Sequence, residues 1–170
     1  METSNIRLYS LTYSQMKTYM LALAFVAGNI ILPQLCHLIP GGGLMLLPIY
    51  FFTLVGAYKY GWKVGLLTAI ASPLVNYALF GMPALAMVPV IMLKSGLLAV
   101  FAGLAANHFK KISIAILALV VIAAQLAGVS AEWLMTGDFM TALQGLRIAI
   151  PGVVLQIFGG YAVIAYLLKN

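Results

Sequence analysis

The sequence predicts an all-α integral membrane protein with six transmembrane helices and both termini in the cytoplasm. Of its 170 residues, 64% are hydrophobic and only 7% are charged, whereas soluble globular proteins carry about 25% charged residues. The apolar runs are long and the links between them are short, and such runs require hydrocarbon as their solvent. Because a spanning helix takes roughly 20 residues, six spans leave no room for a separate soluble domain.

The chain divides into a polar lead-in and one membrane domain. Residues 1–16 are too polar for a signal-peptide core, so we expect an uncleaved cytoplasmic segment. Residues 17–170 form a single six-helix domain, in which Pro73 predicts a kink in the third span. The last span is long enough to be one tilted helix with Pro151 near its middle. The predicted spans are 17–36, 44–58, 64–80, 84–106, 112–134 and 140–168.

Basic residues alternate between the links, and this alternation predicts the orientation of the chain. Basic residues occur in the two termini and in the links after the second and fourth spans. The links after the first, third and fifth spans carry no lysine or arginine, and the last of these carries Asp138. Cytoplasmic links are enriched in basic residues, so both termini are predicted inside. The net charge of +6 does not indicate nucleic-acid binding, because the charges follow the links instead of clustering on one face. The basic residues of the termini and links are Arg7, Lys17, Lys59, Lys63, Lys110, Lys111 and Lys169.

Three ionisable residues fall within the apolar runs: Lys94, Glu132 and Arg147. Each costs a few kcal/mol at membrane depth unless it is paired or hydrated. Gln125 shares a helix face with Glu132, and the predicted topology places Glu132 and Arg147 in the outer half. Two cations against one carboxylate favour a polar cavity that accepts an anionic group. The alternative is a structural ion pair of Glu132 with Arg147 or Lys94.

Further candidate residues lie near the predicted outer ends of the first and third spans. His37 is either a ligand contact or a surface residue, and it precedes a run of glycines that forms either a flexible linker or a movable lid. Asn76 and Tyr77 end the third span and either line the site or face elsewhere. The residues of this run, called the glycine loop below, are Gly41, Gly42 and Gly43.

Small residues at helical spacing indicate close helix packing. In the first span Ala24 and Gly28 share one face. In the last span a stripe faces away from Arg147 and serves either helix packing or ligand contact. Its members are Gly145, Gly152, Gln156 and Gly159.

Several catalytic patterns are missing from the sequence, so we expect a protein that is not an enzyme and has no cofactor of its own. There is no phosphate-binding G-x-x-x-x-G-K-[ST] motif. No Ser/His/Asp set or paired carboxylates occur at one depth. A metal site is not expected, because His37 and His108 lie on opposite sides and Cys36 is the only cysteine. Transport would therefore need energy from a partner or an ion gradient.

The central stretch of the chain carries a set of motifs with a family resemblance. Its motifs are a proline-containing second span, a turn from Gly56 to Gly61, the Ser72-Pro73 pair and a Gly-Met-Pro turn at 81–83. The stretch is PGGGLMLLPIYFFTLVGAYKYGWKVGLLTAIASPLVNYALFGMP, which resembles the substrate-binding S components of energy-coupling factor (ECF) transporters. The resemblance covers roughly residues 20–105, and the last two spans agree in length and placement only.

This resemblance implies a six-helix S-component bundle in a bacterial cell membrane that captures a vitamin or similar micronutrient from outside. Such proteins associate with a transmembrane coupling subunit and two cytoplasmic ATPases, so partner subunits use the ATP. The first outer loop acts as a gate in that family, a role that the glycine loop would take here. The family's Ala-x-x-x-Ala contact motif is matched only by Ala24 and Gly28.

Lys94 and Arg147 favour a carboxylate-bearing substrate such as pantothenate, biotin or lipoate. If the chain is a transporter subunit, we expect a closed outer cavity lined by the third to sixth spans. If it is a non-transporting accessory or scaffold subunit, we expect a solid bundle in which Lys94 and Arg147 are both paired. A lipid-modifying enzyme predicts a nucleophile or metal cluster open to lipid, and the sequence contains no candidate for one.

Overall fold

The computed structural model describes residues 10–169, which are helical except for short links and contain no strand. Six of the helices are long and apolar enough to cross a membrane. The prediction of an all-helical chain with six helices able to span a membrane is therefore confirmed. The first part of the predicted cytoplasmic segment, including Arg7, lies outside the described residues, as does Asn170.

The helices follow the predicted order, but two of the predicted spans are broken. The second span, Gly42–Tyr60, consists of α2 and α3, and the sixth, Ile150–Leu168, belongs to α8 alone. A 3₁₀ turn at Leu85–Met87 leads into α5. The helices are α1 (Met16–Cys36), α2 (Gly42–Leu46), α3 (Pro48–Tyr60), α4 (Trp62–Phe80), α5 (Val88–Phe109), α6 (Ile114–Thr136), α7 (Phe139–Ile148) and α8 (Ile150–Lys169).

The prediction of one continuous sixth helix over 140–168 is wrong. Ala149 is a turn residue between the two helices, so α7 is a separate helix of 10 residues and is too short to span. Pro151 has no backbone N–H to donate to the carbonyl of Arg147, and the loss of this bond weakens the helix at the junction. Most side chains of α7 are exposed, and only Ala142 is buried.

The second span breaks at Leu47, where the backbone is left-handed with φ of +49°. This conformation is uncommon for a residue with a side chain, and the following Pro48 cannot donate a hydrogen bond to continue α2. The break brings α2 against α8. A methyl group at position 152 would lie 2.6 Å from the carbonyl carbon of Leu46, so only Gly152 permits this approach.

The central helix of the bundle is α3, which packs against α1, α4, α5 and α8. Close packing in the bundle depends on small residues where the helices cross. A methyl group at Gly65 of α4 would lie 2.4 Å from the Cβ atom of Ala57 in α3. In the same way, a methyl group at Gly103 of α5 would lie 2.5 Å from the Cβ atom of Trp62.

Three contacts identify the elements that meet at one end of the bundle. The Leu11 amide donates to the Tyr60 carbonyl at 3.2 Å, and the Tyr58 hydroxyl donates to the Lys111 carbonyl at 2.8 Å. The Lys59 ammonium donates to the carbonyl of Leu167. One end, called the terminal end, therefore holds residues 10–15, the links after α3 and α5, and the end of α8. The opposite end, called the loop end, holds links 37–41, 81–87 and 137–138.

The start of α7 is capped by Asp138. Its carboxylate accepts hydrogen bonds from the Thr141 hydroxyl at 2.5 Å and the Thr141 amide at 3.0 Å. These bonds favour the ionised form, and they lower the pKa of Asp138 below its ordinary value of 3.8. The cap is thus complete above the ordinary pKa and is lost as the pH falls through the lowered one.

Replacing Asp138 with alanine is expected to fray the first turn of α7, because the amide of Thr141 loses its acceptor. Hydrogen exchange followed by mass spectrometry at neutral pH should show faster exchange of the α7 amides. Asp138→Asn is the matched control, since asparagine also caps helices but does not titrate in this range. Equal protection of α7 in Asp138→Ala and the wild type would contradict the proposed cap.

Candidate functional site

A cavity of about 530 Å³ lies at the loop end of the bundle. This volume is within the range of about 300–1,000 Å³ that is typical of small-molecule pockets. It is bounded by α1, the glycine loop, α2, the starts of α3 and α5, and the end of α4. Its walls are formed by Pro33, Gln34, His37, Gly41, Gly43, Leu44, Pro48, Ile49, Asn76, Gly81, Met82, Pro83, Ala84, Met87 and Ile91.

Gly41 and Gly43 of the glycine loop line this cavity, and the backbone favours glycine at Gly41 and Gly42. Gly41 is left-handed with φ of +74°. A methyl group at Gly42 would lie 2.2 Å from the carbonyl oxygen of Cys36. One at Gly43 would lie 2.6 Å from Nε2 of His37, so the absence of a side chain lets the imidazole fold onto the loop. The movement of this loop as a gate stays a prediction.

Asn76 is the most deeply buried polar residue of the cavity wall, with an exposure of 3%. Its Nδ2 donates to the carbonyl oxygens of Asn29 at 3.0 Å and of Ser72 at 2.9 Å. It thus ties the end of α4 to α1 and contributes a fixed polar group to an otherwise mainly apolar wall.

A buried hydrogen-bond network lies beneath Asn76 and joins α1, α3, α4 and α5. Nδ2 of Asn29 donates to Thr53 Oγ1 at 3.2 Å and to Ser72 Oγ at 3.0 Å. Oδ1 of Asn29 accepts from the Phe52 amide at 3.2 Å, and Ser95 Oγ approaches Thr53 Oγ1 at 3.3 Å. Sequence reasoning missed Asn29, although an amide in the middle of an apolar span is itself a signal of interhelical bonding.

Lys94 and Glu132 form an ion pair between α5 and α6. Gly128 makes room for the lysine stem, since a methyl group there would lie 3.0 Å from Lys94 Cγ. A void of about 10 Å³ lies beside the pair and is lined by Tyr50, Lys94, Leu98, Ala124 and Gln125. This volume is at the lower limit for one water molecule. Of the two interpretations of these charges, the contacts therefore favour the structural ion pair.

The predicted site residues thus separate into groups instead of forming one cavity. The large cavity is lined by His37, Asn76, Gly41 and Gly43 but not by Gly42, whereas Lys94, Gln125 and Glu132 lie at the ion pair or the void beside it. Lining by the third to sixth spans was also expected, but the large cavity is lined by residues of the first four. That expectation is wrong, because the lining residues come from α1 to α5 and the links between them.

Arg147 and Tyr77 lie apart from both groups. Arg147 is exposed on α7, and in the described part of the chain no carboxylate forms an ion pair with it. Its predicted position within the sixth span is wrong, because α7 is not part of that span. Tyr77 is exposed at the end of α4 and does not line the cavity.

The predicted partner-contact pair is also divided. Ala24 is exposed on α1, whereas a methyl group at Gly28 would lie 2.7 Å from the ring of Phe52 in α3. Gly28 therefore packs within its own chain, and contact of Ala24 with a partner stays a prediction.

Gln156 on α8 is a buried polar residue that was assigned to the packing stripe. It is completely buried, and neither Nε2 nor Oε1 has a hydrogen-bond partner within residues 10–169. Its stripe neighbours Gly152 and Gly159 do pack, against Leu46 and Phe51, but a methyl group at Gly145 would enter open space. A buried amide without a hydrogen-bond partner lowers the stability of the fold, and the replacement of Gln156 described in the Discussion tests its role.

The large cavity can hold an uncharged, mainly apolar molecule, because the lining residues include no lysine, arginine, aspartate or glutamate in the described part of the chain. Its side-chain polar groups come from Gln34, His37 and Asn76. Within residues 10–169, no group of three or more His, Cys, Asp or Glu side chains is placed to hold a metal ion. Comparisons with protein-family models, with curated proteins and with solved structures found no match to this chain.

Proposed function

We propose that the chain is the membrane-embedded, substrate-binding subunit of an ECF-type transporter. It captures a vitamin or related micronutrient from outside the cell for ATP-driven uptake by partner subunits. The observation that supports this proposal most is the cavity of about 530 Å³ beneath the glycine loop. The motifs of residues 40–83 and the six apolar helices support it independently.

The distribution of lysines supports an orientation with the loop end outside the cell. Lys59, Lys63, Lys110 and Lys111 lie in or beside the links of the terminal end, and basic residues favour the cytoplasmic side. Both termini are then cytoplasmic, and the protein resides in the cytoplasmic membrane. In this orientation the large cavity faces the side from which a nutrient arrives.

The walls of the cavity narrow the proposed substrate to an uncharged, mainly apolar molecule. A carboxylate-bearing vitamin was expected because the sequence offers Lys94 and Arg147 as cations to bind it. Lys94 is paired with Glu132, and Arg147 lies on α7, so neither cation supports that preference.

The proposed partners are a transmembrane coupling subunit and two cytoplasmic ATPases. ATP is used by these partners, in keeping with the lack of a phosphate-binding motif in this chain. The exposed face of α1, which includes Ala24, is the proposed contact surface for the coupling subunit.

The second candidate function is a non-transporting accessory or scaffold subunit of a membrane complex. The Lys94–Glu132 pair favours it, because a scaffold uses its intramembrane charges to hold its helices together. The large cavity favours the transporter subunit, since a scaffold has no need of such a space.

Native mass spectrometry of the protein purified in mild detergent tests the choice. We expect a co-purified small molecule in the wild type and its loss in Met87→Trp, because the larger side chain fills the cavity that Met87 lines. Met135→Trp is the matched control, since Met135 is exposed on α6 and does not line the cavity. Absence of any molecule from the wild type, or equal occupancy in both variants, would favour the scaffold.

A further inference from the structure

The side-chain amide of Asn76 has only one possible orientation. One of its terminal atoms lies 3.0 Å from the carbonyl oxygen of Asn29 and 2.9 Å from that of Ser72. Carbonyl oxygens accept hydrogen bonds and do not donate them, so the atom near both must be Nδ2. Turning the amide over would place Oδ1 against two other oxygens. Both N–H groups are therefore used within the protein, and Oδ1 faces the other way.

Oδ1 of Asn76 is an acceptor without a donor within residues 10–169. This oxygen is nevertheless accessible from the large cavity. In the described part of the chain, the only side-chain polar atoms that are both sealed and unpaired belong to Gln156. Asn76 lines the large cavity and keeps 3% of its surface exposed, so its free oxygen is the polar group that this residue presents to the cavity.

We propose that Oδ1 of Asn76 selects for a hydrogen-bond donor on the ligand. The favoured ligand class is then a mainly apolar molecule with a hydroxyl or N–H group at one end. This inference rests on the proposed function, because it assumes that the large cavity binds a small molecule. A ligand that offers only acceptors leaves Oδ1 desolvated and unpaired, which is costly in a buried site.

The other polar residues of the wall discriminate less well. Gln34 is half-buried and His37 is exposed, so both side chains can turn toward solvent or toward the ligand. Each of them also offers either a donor or an acceptor. Asn76 has no such freedom, because Asn29 and Ser72 hold its nitrogen. Asn29 is accordingly a positioning residue, and Asn76 determines specificity.

Two fluorinated fragments of nearly equal size test this inference. 5-Fluoroindole carries an N–H donor, whereas 5-fluorobenzofuran has a ring oxygen in its place. Titration of the purified protein in detergent, followed by ¹⁹F NMR with empty micelles as the partition reference, gives the affinity of each. We expect 5-fluoroindole to bind roughly threefold to tenfold more tightly, the usual effect of one neutral hydrogen bond.

Two variants locate the preference. Asn76→Leu should bind both fragments equally, whereas Gln34→Leu should keep the preference for 5-fluoroindole. Loss of the preference in Gln34→Leu and its retention in Asn76→Leu would overturn the assignment. Because Asn76 also holds α4 to α1, its variant can fail to fold, and the comparison of the two fragments in the wild type and in Gln34→Leu then decides: a preference that is absent from the wild type or lost in Gln34→Leu overturns the assignment.

The outcomes separate the two proposals. Equal binding of both fragments by the wild type overturns the role of Asn76 but leaves the cavity as a ligand site. Failure of both fragments to bind, together with the absence of a co-purified molecule, overturns the proposed function and this inference with it.

Discussion

Glu132→Gln is expected to lower the free energy of unfolding by about 3 kcal/mol, the usual cost of removing one partner of a buried ion pair. The side chains of Lys94 and Glu132 are only 19% and 8% exposed, so water cannot replace the lost partner fully. Lys94→Met should cost a similar amount, because it leaves the Glu132 carboxylate uncompensated.

The double variant Lys94→Met/Glu132→Gln should recover most of that loss, since it leaves no unpaired charge in the bundle. Reversible unfolding in mixed micelles, with the double-mutant cycle, measures the coupling between the two residues. Lys110→Met is the matched control, because Lys110 is exposed in a link and its replacement should change stability by less than about 0.5 kcal/mol. Additive effects of the two single replacements would contradict the pairing.

The same double variant also bears on function. If the pair only locks α5 to α6, the double variant keeps any molecule that co-purifies with the wild type. If the cations serve the ligand directly, as the sequence allowed, that molecule is lost while the fold is retained. The position of the pair outside the large cavity favours the first result.

Gln156→Met is expected to raise the free energy of unfolding by about 1–3 kcal/mol, the typical penalty of an unpaired buried amide. Gln156 is completely buried and neither amide atom has a partner within residues 10–169. Methionine has a similar length without the polar group and adapts readily to irregular surroundings. Unfolding in mixed micelles measures the change.

Gln144→Met provides the matched control, since Gln144 is exposed on α7 and its replacement should be nearly neutral. A loss of stability in Gln156→Met would instead mean that the amide holds a buried water or a ligand group. Native mass spectrometry separates these two cases, because only ligand contact links the replacement to a lower occupancy. The packing interpretation of the stripe on α8 would then give way to its alternative, ligand contact.

The number and approximate ends of the spans follow from the amino-acid sequence. In hydrocarbon every backbone polar group must be satisfied within its own helix, so apolar length translates directly into helices. The third span was predicted over 64–80 and observed as Trp62–Phe80, and the fifth over 112–134 and observed as Ile114–Thr136. The breaks at Leu47 and Ala149 were not predicted, because composition alone does not show where a proline interrupts a helix instead of bending it.

The candidate site was less predictable, because it depends on which helices are neighbours. Asn76 and His37 were recognised as polar residues at helix ends, and both line the large cavity. Asn29 was missed, since its role appears only when α1, α3 and α4 lie together. For Lys94, the sequence is compatible with an ion pair to Glu132 and with direct contact to a ligand, and it does not distinguish between the two.

The primary structure is thus sufficient to predict six helices long and apolar enough to span a membrane, because hydropathy and helix length are properties of each segment taken alone. Tertiary packing decides that Lys94 meets Glu132, that α2 turns onto Gly152, and that the cavity lies on the side of α1. Each of these features joins residues that are far apart in the chain, and their contact depends on the shapes of the helices between them.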